Sequence, residues 1–571
     1  MCRRRGNSTL CICKFSMKTV AGHLMKRMRL SQAVKSLQLF PGRCVSTFNK
    51  HFKMLKGEVD TKNQQYIKGL EHSMTLKQQI QSILSKVKSG GGEKAIHRHT
   101  IVNKKIFVRE RLKMLFDEDC EFLEIGALAG LRMNYGDVPA AGLVLGIGKI
   151  HGKWGIVAAN DGTVKGGAMF PVTVAKMLRA QRLALQNFLP TVYLVDSGGG
   201  FLTHQAELFP DQDHGGRVFR NEAVLASRGI PQISVVCGPC TAGGAYCPTM
   251  TQEAIIVKGI GTLYLGGPPL VKAAIQEEVT EEELGGADLH CRLSGCLDYY
   301  AENEEEALSV CRDIFLTLNM ENIQTDKSYS QPVFSVEELP GLAGQKSIAK
   351  DDLYKILARL LDGSVFQEFK EQYGSNLITG FGNIHGFLVG ILANCGPVSS
   401  ADALKGSHFI QLCNHREIPL VFLQNFASQD FPESGLEKGL VLKDRANMIA
   451  AHACATVPKI TINMGGSVGD HDFIMCGWSF EPNFLFSWPS AQTHSNYHRE
   501  TGNSMDDGKK ATDPFLQSTS AFSRSANMLQ DGIIFPEDTR QVLGTCLEIA
   551  CVGYRRSRMK KVQTTSAVLR M

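Results

Sequence analysis

The stretch "CGPCTAGGAY" (237–246) ends a run of β-branched residues with Gly243, Gly244 and Ala245, and "VDSGGG" (195–200) places Gly198, Gly199 and Gly200 behind another such run. Small residues in a turn after a strand let backbone N–H groups approach a ligand oxygen, and two such donors aimed at a thioester oxygen would hold an enolate. Glycine also collects in turns for steric reasons alone, so composition leaves both readings open. A third turn, "GGSVGDHDFIMCG" (465–477), follows "VPKITINM" (457–464) and puts Asp470, His471 and Asp472 where bare backbone would serve better. Cys237-Gly-Pro-Cys240 has the form of redox and zinc sites, yet no second pair follows at metal spacing. Asp470, His471, Asp472, His494, His498 and Glu500 are metal-type ligands, but nothing in the sequence brings them together, and no metal is expected.

The elements that position these turns come in two copies. "GIGKIHGKWGIVAAND" (146–161) matches "GFGNIHGFLVGILANCG" (380–396), sharing Gly146/Gly380, His151/His385, Gly152/Gly386 and Asn160/Asn394. "LPTVYLVDSGGG" (189–200) pairs with "IPLVFLQNFASQ" (418–429), and "IPQISVVCG" (230–238) with "VPKITINMG" (457–465), at a slowly drifting offset. Each copy reads as a hairpin around His-Gly, a helix, a β-branched strand, a second helix and a second strand. Helices are expected at 171–188 and 400–415, where apolar residues recur at three- and four-residue steps. Buried strands alternating with helices predict an α/β fold with mostly parallel pairing, and the 318–350 region reads as the linker. At the offset of the last matched pair, Gly243, Gly244 and Ala245 face Asp470, His471 and Asp472.

The chain has 571 residues, enough for two domains plus extensions, and is 43% hydrophobic and 21% charged, which suits a globular protein. No run approaches the roughly 18 apolar residues of a membrane span, so none is expected. The first 57 residues hold thirteen Lys or Arg and no acid before Glu58, the pattern of a mitochondrial transit peptide, placed approximately at 1–50. Without them the net charge passes from +6 to −7, which removes the support for nucleic-acid binding. The 17 cysteines are scattered through apolar runs and suit buried, reduced thiols.

"NDGTVKGGAMFPVTVAK" (160–176), "YLVDSGGGFL" (193–202), "FPDQDHGGR" (209–217), "CTAGGAYCP" (240–248), "LGGADLHCRLSG" (284–295) and "IQLCNHREIPLVFLQN" (410–425) closely resemble the carboxyltransferase (beta) subunits of methylcrotonoyl-CoA carboxylases, part of the acyl-CoA carboxylase carboxyltransferase family. The resemblance implies tandem crotonase-like domains, at 57–315 and 318–564, each a β-β-α superhelix. It implies transfer of carboxylate from carboxybiotin, held covalently by a biotin-carrying alpha subunit, to 3-methylcrotonoyl-CoA in leucine breakdown in the mitochondrial matrix. Paired chains, with a ring of six as the natural expectation, come with it. Carried over by residue, the N–H groups around Gly244 and Ala245 are the enolate hole, with Gly198, Gly199 and Gly243 binding substrate. Arg359 and Lys370, in the acyl-CoA stretch 353–382, are cations available for phosphate, although Lys and Arg on a helix also serve as a solvated face.

The second domain departs from the pattern. The family's small pair in the biotin-side hole is Asp470 and His471 here, an arginine after "DGS" is Val365, and "ASQDFP" (427–432) and "THSNYHRETGN" (493–503) replace glycine-bearing segments. A carboxylate about 4 Å from a developing oxyanion, at an effective dielectric near 20, repels it by about 4 kcal/mol, which cancels one donor. The alternative to an active carboxyltransferase is therefore an impaired paralogue that binds acyl-CoA or assembles with carboxylase subunits without turnover.

Overall fold

The computed structural model describes residues 53–120, 122–320, 328–344, 348–425, 435–468, 470–494 and 519–559. The expected transit segment, the 427–432 replacement, and His498 with Glu500 lie outside them.

A short strand, β1 (Lys53–Met54), precedes the first sheet. That sheet comprises β2 (Leu123–Ile125), β3 (Leu143–Ile150), β4 (Lys153–Asn160), β5 (Thr191–Ser197), β6 (Gln232–Thr241), β7 (Glu253–Val257), β8 (Thr262–Tyr264) and β9 (Tyr299–Ala301), in the order 2-3-4-5-6-7-9 with β8 beside β6. The second sheet takes β10 (Val365–Glu368), β11 (Leu377–Ile384), β12 (Phe387–Asn394), β13 (Leu420–Gln424) and β14 (Lys459–Asn463). After β15 (Gly466–Val468), it adds β16 (Phe484–Ser487) and, past β17 (Gln492–His494), β18 (Gly532–Ile533); β15 and β17 form a separate parallel pair. In both sheets an antiparallel hairpin, β3–β4 or β11–β12, is followed by parallel strands. Every residue of β5, β13 and β14 is buried, because helices cover both faces of a parallel sheet. The expected helices form at Pro171–Asn187 and Ser400–His415, so the predicted duplicated α/β order is observed.

The duplication extends to hydrogen bonds that the sequence match does not reveal. Both hairpins turn through His-Gly with positive φ at each residue, 48° and 72° at His151 and Gly152, 48° and 75° at His385 and Gly386. A two-residue turn of this twist needs φ above zero at both positions, a strain for histidine. In each copy one carboxylate compensates. Asp117 accepts from the His151 and Gly152 N–H groups at 2.9 and 2.8 Å, and Asp362 from those of His385 and Gly386 at 3.0 and 2.7 Å. An arginine holds each carboxylate from behind, Arg312 at 3.1 Å and Arg540 at 2.7 Å.

Segments from each end of the chain reach across to the other half. β1 pairs antiparallel with β10, and the Gln64–Lys88 helix lies on the Leu339–Ala343 helix, with Ser73 Oγ donating to the Pro340 carbonyl at 2.7 Å. The segment from Lys53 through Ser73 thus packs on the second sheet's side, while further along the same helix Leu76, Ile80 and Val87 share a core cluster with Leu128, Leu131 and Ala140 of the first half. Conversely, the Thr539–Met559 helix packs on the Pro171–Asn187 helix of the first half, and Gly553 comes so close that a Cβ there would lie 2.1 Å from the Asn187 carbonyl. A buried pair, Arg179 to Asp531 at 2.7 and 2.8 Å, ties the halves again. Among the described residues no helix is long and apolar enough to cross a membrane.

Removing either turn carboxylate leaves two N–H donors unpaired. Asp362→Ala, at a buried site, is expected near the top of the range of about 1–3 kcal/mol of lost stability, and the more exposed Asp117→Ala near the bottom. Denaturant unfolding measures both. Burial works against ionisation of Asp117, but the Gly152 and His151 N–H groups and Arg312 outweigh it and hold the carboxyl below its usual value of 3.8. Because the folded pKa is the lower one, this contribution is present above pH 3.8 and fades as pH falls through the folded value, so the wild-type advantage over Asp117→Ala shrinks in acid.

Candidate functional site

Three glycine turns converge at the ends of β4, β5 and β6. The first, Lys165-Gly166-Gly167, has positive φ throughout, and the Gly167 carbonyl accepts from Ser197 Oγ at 2.7 Å. The second follows β5; the Gly199 N–H donates to Ser197 Oγ at 3.2 Å, and the Gly199 carbonyl accepts from the Met169 N–H at 2.9 Å. The third is the tight turn Ala242–Ala245 after β6, which leads into the Tyr246–Met250 helix. Their closeness is visible in what a side chain would strike. A Cβ on Gly198 would meet only the Gly166 carbonyl at 3.5 Å, and one on Gly199 only the Thr241 carbonyl at 3.4 Å.

Open space lies beside this backbone. A Cβ on buried Gly244 would find no atom within 4 Å, and one on Gly243 would find only the Phe219 ring at 3.7 Å. Gly198, Gly199, Gly243, Gly244 and Ala245, singled out from sequence, thus belong to turns that lie close together, and the open space beside the bare Gly244 backbone makes a hollow next to them. Tyr246, 47% exposed, packs edge-on against Phe219 at 5.6 Å and adds an aromatic border. Sequence reasoning assigned no role to Gly166, Gly167 or Phe219; the positive φ demanded at "KGG" was the available signal.

An ion cluster sits beneath the turns. Asp196, next to the β5 glycines, lies 2.9 Å from Lys105 Nζ and 3.3 Å from Arg111, and Arg111 in turn lies 2.5 Å from Glu304. Arg111 Nη2 also donates to the Cys237 carbonyl at 3.3 Å, which joins β5 to β6. The cysteine pair is not a site of redox or metal chemistry. Three residues apart on a strand, the side chains point to opposite faces, and Cys237 and Cys240 fall in different core clusters. Burial pushes the Cys237 thiol up to about 12 and holds Cys240 well above its usual value. Among the described residues no group of three His, Cys, Asp or Glu is arranged to hold a metal.

The second-half turn is built differently. Asp470 leads into the short His471–Ile474 helix, and its Oδ2 lies 2.9 Å from Arg445 Nη1. Arg445 Nε donates to the Val398 carbonyl at 2.8 Å, while buried His471 accepts from the Val398 N–H through Nε2 at 3.3 Å. The uncompensated repulsion expected of Asp470 is therefore corrected: a guanidinium faces the carboxylate. Asp470 and His471 knit the turn to the start of the Ser400–His415 helix and to the Gly435–Ala453 helix, and His471 fills the space that small residues would leave.

Arg359 is also corrected. Its side chain is fully buried, and it is bound to Glu338, to the Gly57 carbonyl at 2.9 Å and to the Lys355 carbonyl at 2.8 Å. A guanidinium committed to these acceptors is not a phosphate-binding cation. Lys370 is exposed in the turn after β10, with Nζ 5.5 and 5.6 Å from the Phe369 and Tyr373 ring centres. Arg359→Met is expected to cost about 1–3 kcal/mol of stability, because buried acceptors lose their donor, and to leave affinity for a CoA thioester unchanged. Denaturant unfolding beside calorimetric titration separates the two effects.

With this geometry in view, residues 102–494 match the carboxyl transferase domain family. The chain is 45% identical over 535 residues to the mitochondrial methylcrotonoyl-CoA carboxylase beta chain of Dictyostelium discoideum, covering 89% of this chain and 90% of that protein. It is 43% identical over 503 residues to the biotin-dependent 3-methylcrotonyl-coenzyme A carboxylase beta1 subunit of Mycobacterium tuberculosis, covering 82% and 94% respectively. Among solved structures it is similar to the beta subunit of P. aeruginosa geranyl-CoA carboxylase, with a TM-score of 0.80, 32% identity, and coverage of 91% of this chain and 100% of that one.

Proposed function

Because the chain belongs to the carboxyl transferase family, we propose that it is the carboxyltransferase subunit of a mitochondrial biotin-dependent acyl-CoA carboxylase, acting on 3-methylcrotonoyl-CoA in the matrix. Carboxybiotin arrives on a biotin-carrying partner subunit, and the chains pair with one another. The observation that carries the reading is the hollow beside Gly244, where backbone is bare on the side a ligand would occupy.

The chemistry asked of this chain is modest. Bound carboxybiotin would supply CO₂ by breaking its nitrogen–carboxyl bond, and the nitrogen so freed would take the γ-proton; a thioester conjugated to a double bond that loses this proton becomes a dienolate, whose charge rests on the thioester oxygen and whose γ-carbon bonds to the CO₂ carbon. Amide groups of the Gly244–Ala245 turn, aimed at that oxygen, stabilise it as it gains charge; losing one such donor costs about 10²–10³ in rate, or about 2.7–4 kcal/mol. Phe219 and Tyr246 border the hollow and suit an apolar acyl group. The second-half turn, filled by His471 and by the Asp470–Arg445 pair, does not fit the ureido group as a bare backbone hole would. This observation sustains a second reading, in which the chain binds acyl-CoA or assembles without turnover; the relatives favour the first.

Co-expression of the mature chain with a biotin-bearing partner tests the proposal by CO₂ fixation into 3-methylcrotonoyl-CoA. Sustained fixation supports it, whereas acyl-CoA binding by calorimetry without fixation supports the second reading. Gly244→Val directs its side chain into empty space, so thermal unfolding is expected to stay at the wild-type temperature while kcat falls about 10²-fold or more.

A further inference from the structure

Glu222 lies in the Gly215–Ser227 helix, fully buried, and no N–H or O–H group among the described residues donates to either carboxyl oxygen; the one donor beside it is the Cys247 thiol. A carboxylate so placed is costly, and a neutral acid is the form the site tolerates. The titratable groups that face it are the Cys247 thiol and, from β5, the Tyr193 phenol, with Cys240 of β6 behind Cys247. The other polar side chains around this cluster are uncharged. Gln232 Nε2 donates to the Glu222 backbone carbonyl at 2.8 Å, Tyr193 donates to Gln232 Oε1 at 3.3 Å, and Ser234 accepts from Thr251 at 3.2 Å.

This acid stands under the hollow. Cys247 is the second residue of the helix that Ala245 leads into, and Phe219, one turn before Glu222 on the same helix, lies against Gly243 and Tyr246. Residues 243–247 therefore rest on the face that carries Glu222. We infer that Glu222, as a neutral carboxylic acid, is a positioning residue for the Gly244–Ala245 turn, and that its ionisation loosens the turn and lowers turnover. The inference rests on the reading of that turn as the enolate hole. Desolvation is the main cause that raises the Glu222 carboxyl, to about 8, with a hydrogen bond to the Cys247 thiol opposing it. Since the folded pKa is the raised one, its contribution to stability is fully present below the unfolded value of 4.5 and is lost as pH rises toward 8.

Glu222→Gln keeps the shape and removes the titration. Hydrogen exchange of the 242–247 segment, compared between wild type and Glu222→Gln at each pH, reads the turn without requiring turnover. Wild type is expected to lose protection relative to the variant above about pH 8, and its kcat, but not its KM, to decline there about tenfold per pH unit while the variant stays flat. Equal exchange at every pH overturns the inference, and so does an alkaline decline in kcat that persists in Glu222→Gln. The exchange step without turnover in wild type at any pH overturns the enolate-hole reading, and with it the effect on rate. A change in thermal stability alone, with neither exchange nor kcat dependent on Glu222, shows a merely structural residue and also overturns it.

Discussion

The glycine hollow depends on where one carboxylate is held. Lys105 and Arg111 fix Asp196 at the end of β5, and its atoms then forbid side chains nearby: a Cβ on Gly167 would lie 2.1 Å from the Asp196 carbonyl, and one on Gly238 2.0 Å from Oδ1. Gly238 must be glycine because the Asp196 carboxylate is there, and Gly167 because the β5 backbone passes beside it. A buried ion cluster of this kind adds little net stability compared with apolar packing, but breaking it strands a charge, so it acts as a rigid locator. The chemistry proposed needs such a locator, since oxyanion donors work only when held in place before the charge develops.

The second half shows what happens to the same frame without the charge. Asn425 takes the position of Asp196 in the repeat, and the backbone N–H of each donates to the preceding copy-specific asparagine, Asn160 at 3.4 Å and Asn394 at 2.8 Å. Asn425 then spends its side chain on the Ile348 backbone, at 2.7 and 3.3 Å. At the 470–472 turn, past β14 and β15, the backbone is not bare; Arg445 and His471 tie that turn to neighbouring helices. The frame, from the carboxylate-clamped His-Gly hairpins to the parallel strands, survived duplication, while the turns at the strand ends diverged.

Much of the scaffold was legible because its signals are local. The His-Gly turns, the β-branched strands and the glycine runs each require particular residues within a few positions, and their doubling exposed the repeat. The partnerships that decide function were not. Arg359 reads as a surface cation on a helix until Glu338 and Gly57 are seen around it, and Asp470 reads as a bare charge until Arg445, from another helix, reaches it. Glu222 carries no pattern at all; its burial follows from the packing of its own helix and the Tyr246–Met250 helix against β5 and β6. The placement of Lys53–Met54 on the second sheet was equally hidden, since a two-residue strand has no period.

The central claim is that the Gly244–Ala245 turn, and not its filled counterpart at 470–472, receives the thioester oxygen. A structure of the mature chain with an unreactive analogue of 3-methylcrotonoyl-CoA tests this most directly. The account predicts the analogue's carbonyl oxygen about 2.7–3.1 Å from the amide nitrogen of Gly244 or Ala245, with the acyl group against Phe219 and Tyr246. A carbonyl oxygen seated at the 470–472 turn, or pointing away from both, would contradict it.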